Sequence, residues 1–233
     1  MQKVFCKRFS AKGVLQKLAA RTHQSQSPEL TNHQNSQSMD ITLLEKLKLG
    51  TQASHEDVER RVDLMKQLQT ASAYRRLLEG FYGLYHPLET EIERAAPQIS
   101  VWLPDIRTRM RSALLRLDLG VLGNVRPEAL PRAPVPVLHG LPEQFGCLYV
   151  LEGSSLGGQL IAREVQSRLQ YTPERGCAFF NGYGPRTGGM WKAFRQATES
   201  FGVSHPDPGI HDRIVHSALA VFGTFGEWIG RAE

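Results

Sequence analysis

LYVLEGSSLGGQLI, residues 148–161, decides the reading of this chain, because it reads as one stretch of helix with three glycines inside it. Gly153, Gly157 and Gly158 each cost a helix interior roughly 1 kcal/mol relative to alanine, about 3 kcal/mol in under two turns. Gly153 and Gly157 are spaced i,i+4 and so share a face, with Gly158 beside them and Ser154 and Ser155 between. Two explanations stand. Small residues let another helix approach closely, or a strip without side chains lies against something flat and rigid.

Working outward, the periodicity is helical on both sides. The run containing the glycines begins at Pro142, a good first-turn residue, and continues to about Gln170. Upstream, Thr42 and Glu45 form a capping box that opens a stripe of Leu44, Leu47, Thr51, His55, Val58, Val62 and Met65. A second helix over about 72–95 carries Tyr74, Leu77, Leu78, Phe81, Leu84, Tyr85, Leu88 and Ile92, with a kink expected at Pro87. A third is expected from Pro104 to Gly120, followed by a proline-studded connection. Downstream, CAFFNGYGPRTGG reads as a glycine-rich loop leading to helices over about 189–201 and 208–231. No stretch alternates as a strand and no repeat is evident. The fold class is all-α, a single-domain multi-helix bundle over residues 40–233.

Composition narrows the function classes. At 233 residues and 41% hydrophobic, the chain suits one domain with a sizeable core. No apolar run approaches the roughly 18 residues that span a bilayer. The cysteines Cys6, Cys147 and Cys177 share no ligand spacing and read as free thiols in a reducing cytoplasm. The formal charge of +5 is carried by residues 1–38, where Lys3, Lys7, Arg8, Lys12, Lys17 and Arg21 face Glu29 alone. The rest is neutral, which argues against nucleic acid as a partner. Residues 1–39 are expected to be a disordered basic and polar extension. Their basic, weakly amphipathic start fits an organelle-targeting leader or translation from a codon upstream of Met39.

A ligand lying on a bare strip needs an anchor. Of the eight histidines, His55 sits mid-helix on an apolar stripe, with Lys48 seven residues before it and Glu59 four after. A lone histidine on such a face is commonly a core residue. Here a carboxylate one turn away can orient its ring, as it does for metal-bound imidazoles. Lys48 lies about 10 Å along the axis, a suitable reach from a porphyrin iron to a propionate. A di-iron carboxylate bundle calls for Glu-x-x-His pairs, and none of the eight histidines has a glutamate three residues before it.

Four segments then carry a resemblance. LKLGTQASHEDVE (47–59), FYGLYHPLETEIE (81–93), LYVLEGSSLGGQLI (148–161) and CAFFNGYGPRTGGMWKAF (177–194) resemble the heme oxygenase family, in family order, over residues 40–231. The last two most resemble the branch that supplies bilin chromophore to bacterial phytochromes. The resemblance implies heme b, substrate and cofactor at once, sandwiched between a proximal and a distal helix. It makes His55 the axial iron ligand, with Lys48 and Thr51 lining the proximal side and Glu59 supporting the imidazole. Gly153, Ser154, Gly157 and Gly158 become the catalytic distal segment and Ser155 a heme contact. Lys192 and Arg195 match the family's basic cluster loosely and read equally as solvated surface charges. The implied reaction opens the ring with O2 and electrons from a ferredoxin or a pyridine-nucleotide reductase, giving biliverdin, CO and ferrous iron. A bacteriophytochrome is the implied biliverdin acceptor.

One departure stands out. Many family members carry an aspartate directly after the first distal glycine, holding water for proton delivery. Ser154 occupies that position, neutral and shorter, though still able to hold a water. A non-catalytic heme carrier or sensor on the same fold therefore remains the alternative function.

Overall fold

The computed structural model describes residues 41–123 and 125–230, and the expected extension over residues 1–39 lies outside them. The described chain is helical, with only an isolated bridge at Thr172. We label the α-helices α1 (Leu43–Arg61), α2 (Leu64–Gln67), α3 (Ala71–Ile99), α4 (Ser112–Leu122), α5 (Leu141–Leu169), α6 (Ala178–Asn181), α7 (Thr187–Ser204) and α8 (Pro208–Gly230). α8 packs along both α5 and α1, and α3 packs against α4 and α5. Among the described residues, no helix is long and apolar enough to cross a membrane. Cys147 and Cys177 are buried free thiols.

Local chemistry explains most boundaries. Thr42 and Glu45 form the expected capping box, and α1 ends at Val62 in extended backbone before Asp63 caps α2. All eight apolar positions read on the second helix are buried in α3. That helix runs on to Ile99 with Pro87 and Pro97 inside it, past the expected end near residue 95. Proline at 87 cannot donate to the carbonyl of Gly83. That carbonyl instead accepts from the Ala133 amide at 2.9 Å, so the helix and the proline-rich connection share one interaction. Glycine at 83 is what admits the connection, since a Cβ there would stand 2.5 Å from the Pro131 carbonyl oxygen and 2.9 Å from Trp228 Cζ2.

The expected helix from Pro104 to Gly120 is corrected. Residues 106–109 form a 3-10 turn, the chain extends at Met110, and α4 starts only at Ser112. α4 has no cap of its own. Glu89, from the middle of α3, accepts from the Arg111 and Ser112 amides at 2.7 and 2.8 Å. The expected loop at 177–189 is also corrected, for it contains α6 and a 3-10 turn at Gly184–Arg186. Asp118 of α4 organises it by accepting from the Ala178 and Phe179 amides, both at 2.8 Å. Burial pushes the Asp118 carboxyl up to about 6, against the pull of these amide bonds.

Gly83→Ala is expected to lower stability by about 1–3 kcal/mol through overpacking, in contrast to the usual gain from glycine to alanine in a helix. A urea midpoint equal to or above that of the parent would contradict the close approach at Gly83.

Candidate functional site

α1 and α5 supply the two sides. On α1, Thr51 is buried and its hydroxyl donates to the Leu47 carbonyl at 2.7 Å. One turn on, His55 is 39% exposed in its side chain, and its ring stands edge-on to Phe222 with centroids 5.7 Å apart. Burial lowers its pKa, against an opposing effect of Glu56, so the imidazole is neutral at pH 7. Glu59 Oε1 lies 3.6 Å from His55 Nδ1, close enough to orient the ring but beyond a hydrogen bond. Lys48 is exposed.

On α5 the three glycines divide by purpose. A Cβ at Gly158 would stand 2.6 Å from the Phe180 carbonyl oxygen, so this glycine serves the close approach of α6. At Gly157 a Cβ would meet nothing within 4 Å, and at Gly153 it would make ordinary contact with Trp191 at 3.8 Å. The bare strip therefore consists of Gly153 and Gly157. Ser155 does not join it. It lies about 200° round the helix from Gly153, is buried, and donates to its own helix at the Glu152 carbonyl, 2.6 Å away.

The two helices meet through Tyr149. Its phenol interacts with the Thr51 side chain and with the Arg195 charge, both of which partly offset the upward push of burial on its pKa. Trp191 closes the neighbourhood, 5.8 Å from the Tyr149 ring and stacked on Phe194. Its indole nitrogen is buried without a hydrogen-bond partner. Arg195 and Lys192 are both exposed, and Arg195 is the one whose charge acts on Tyr149.

Gly153 and Gly157 leave a strip of α5 free of Cβ atoms, and comparisons with known proteins give the family. The heme oxygenase family model matches residues 41–231. The chain belongs to the heme oxygenase family. A heme oxygenase of Xanthomonas campestris pv. campestris (strain 8004) is 33% identical over 112 residues, covering 46% of this chain and 57% of that relative. The chain thus spans little more than half the length of that curated relative. The heme oxygenase fold is further shown by two solved structures. That of the NO- and CO-bound enzyme from Neisseria meningitidis has a TM-score of 0.70 at 20% identity, covering 82% of this chain and 92% of the other. That of the Leptospira interrogans heme oxygenase has a TM-score of 0.67 at 22% identity, covering 82% and 100%.

Behind the strip lies a buried polar network that sequence reasoning missed. Arg109 donates to Glu152 Oε2 at 2.8 Å and grips Asp105 through Nε and Nη2 at 2.8 and 2.9 Å. Tyr183 donates to the other Glu152 oxygen at 2.7 Å. Arg111 Nη2 reaches the Tyr85 hydroxyl and the Ser154 hydroxyl, both at 3.0 Å, and the Leu151 carbonyl. Burial pushes the Glu89 and Glu152 carboxyls up, opposed by these bonds and by the arginines. One signal was available in TRMRS (108–112). Two arginines two positions apart point to opposite sides of a helix, so both can turn inward only if the backbone there is extended.

In the heme-free protein, Gly157→Ala is expected to be neutral or to gain up to about 1 kcal/mol, while Gly158→Ala loses about 1–3 kcal/mol. Equal destabilisation in parallel urea titrations would return both glycines to packing.

Proposed function

We propose that this protein is a heme-degrading enzyme that opens heme to biliverdin, CO and ferrous iron. The supporting observations are His55 on α1, whose pKa burial lowers, and the bare Gly153–Gly157 strip on α5. A neutral imidazole is the form that binds heme iron, and a strip without Cβ atoms admits a planar macrocycle against backbone. Tyr149 and Arg195 offer a hydroxyl and a cation at one end of these stripes, suited to a propionate, with Lys48 on the same helix as His55. The unpaired Trp191 indole nitrogen offers a further donor. When bound, heme supplies the oxygen chemistry as well as the substrate carbon. Glu59 would orient the imidazole that holds the heme, and Gly153 and Gly157 would leave room against α5 for the ligand. O2, an external ferredoxin or pyridine-nucleotide reductase, and a bacteriophytochrome as acceptor complete the reading, in a cytoplasmic protein.

The deciding experiment is aerobic single turnover of the heme complex with a reductant. Appearance of biliverdin absorbance supports the enzyme, and a stable ferrous-oxy spectrum shows a carrier or sensor instead. His55→Ala is expected to bind heme weakly or with an open coordination position, and imidazole is expected to restore a low-spin spectrum. An unchanged Soret band and unchanged turnover in that variant would remove His55 from the iron. Gly157→Ala is expected to lower turnover far more than heme affinity.

A further inference from the structure

Outside the candidate site, α3, α4 and the proline-rich connection bring three basic side chains around one buried tyrosine. Tyr82 and His86 are one turn apart on α3, and the His86 ring stands edge-on to Tyr82 with centroids 5.2 Å apart. Arg132, from the connection, lies over the Tyr82 ring at 4.7 Å. Its guanidinium donates to the Leu130 and Pro127 carbonyls at 3.1 and 2.8 Å. The adjoining Ala133 amide is tied to the Gly83 carbonyl, which holds this cation in place. Arg116, from α4, is exposed and reaches the Tyr82 hydroxyl with Nη2 at 3.5 Å. Tyr82 itself is buried, and the hydrogen of its hydroxyl meets no acceptor among the described residues.

The charges of this cluster do not balance. Glu128, from the 3-10 turn at Pro127–Ala129, lies 3.2 Å from Arg116, and both side chains stand in solvent. Arg132 is held by carbonyls and has no carboxylate partner among the described residues. Burial lowers the pKa of His86, and Arg132 and Arg116 lower it further, against the opposing charge of Glu128. Two fixed cations and an imidazole thus share one solvated carboxylate. We propose that Tyr82, His86, Arg116 and Arg132 form a binding site for a tetrahedral oxyanion of the phosphate class, entered by displacing Glu128 from Arg116. Arg132 contributes fixed charge, while the Tyr82 hydroxyl, the His86 ring and the Arg116 guanidinium supply hydrogen bonds. Three donors call for three acceptor oxygens, which a phosphate group offers and a carboxylate does not. An exposed ion pair contributes little, so Glu128 is easily displaced. An anion here favours the protonated imidazole, so His86 titrates higher with it bound. By linkage, the anion binds more tightly as pH falls through that titration.

The test is an NMR pH titration of the His86 ring signal, assigned with His86→Gln, in sodium sulfate and in sodium chloride of equal ionic strength. It uses the full chain without heme, so its outcome is separate from that of the heme reading. Sulfate is the probe because it is tetrahedral and keeps its charge across this pH range. Sulfate is expected to raise the His86 midpoint by about half a unit or more relative to chloride. Arg116→Gln is expected to raise the midpoint in chloride, by removing a neighbouring cation, and to shift the sulfate response to about tenfold higher concentration. Glu128→Gln is expected to shift the response a few-fold lower, because the competing carboxylate is gone. Both side chains are exposed, and an unchanged urea midpoint checks that each variant keeps its fold. Inorganic phosphate and glycerol 3-phosphate then compete with sulfate. Equal potency assigns the site to the free ion and a more potent ester assigns it to a phosphorylated molecule, and either result upholds it. The proposal is overturned by a His86 midpoint equal in sulfate and chloride, or by Arg116→Gln responding to sulfate like the parent. It is equally overturned by a Glu128→Gln response at the same or higher sulfate, or by acetate competing as well as phosphate.

Discussion

Two buried arginines hold this structure in its working shape. Arg109 and Arg111 reach α5 from the short extended break before α4, and each meets a carboxylate or a carbonyl that has no access to water. Removing an ion from water costs several kcal/mol even after the protein relaxes, so such a group survives only where opposite charge and full hydrogen bonding replace its hydration. Glu89 and Glu152 supply the charge, and Tyr85, Tyr183, Ser154 and the Leu151 carbonyl supply the bonds. Because Glu89 also caps α4, the same carboxylate that balances Arg111 decides where that helix begins. Removing one member of such a set leaves another charge buried and uncompensated.

That network accounts for the helix interior tolerating Gly153 and Gly157. Three glycines weaken α5 by roughly 3 kcal/mol in propensity, and the segment bearing them is the one gripped from behind at Leu151, Glu152 and Ser154. Stiffness lost from the backbone is returned by side chains on neighbouring elements. Gly158 belongs to the same economy of space but not to the strip, since its hydrogen faces the Phe180 carbonyl. The glycines that answer to packing and those that answer to open space thus alternate along one helix. Sequence spacing cannot separate them, because Gly157 and Gly158 differ only in which neighbour their missing Cβ would meet.

The helical class, the long helices and their caps were legible because amphipathic periodicity and local capping are short-range properties. The buried stripe of α3 and the Thr42–Glu45 box are of this kind. The break before α4 was not legible, because its cap comes from Glu89, more than twenty positions away, and its arginines turn inward to partners on α5. The short helix α6 was hidden in the same way by its dependence on Asp118. For the site, a histidine with a carboxylate one turn on was visible as a pattern, and so was the glycine strip. Tyr149 was not, since an aromatic residue on a core helix reads as packing until Thr51 and Arg195 are seen beside it. Ser154 illustrates the limit most sharply. Its residue type permits a water, and only the structure shows the Leu151 carbonyl, the Tyr85 hydroxyl and Arg111 within hydrogen-bond distance of its hydroxyl.

The two sides of α5 therefore differ in kind. Behind it, charge and hydrogen bonding are saturated and dry. In front, Gly153 and Gly157 expose backbone whose own hydrogen bonds are consumed within the helix, and the nearest side chain at Gly153 is the ring of Trp191. Such a front discriminates by shape. A planar ligand against this face would meet few side-chain donors, so its fit would be set where the helix lacks Cβ atoms. Backing a bare helix face with a charge-balanced, hydrogen-bonded network thus gives steric freedom in front of it without a polar side chain occupying that space.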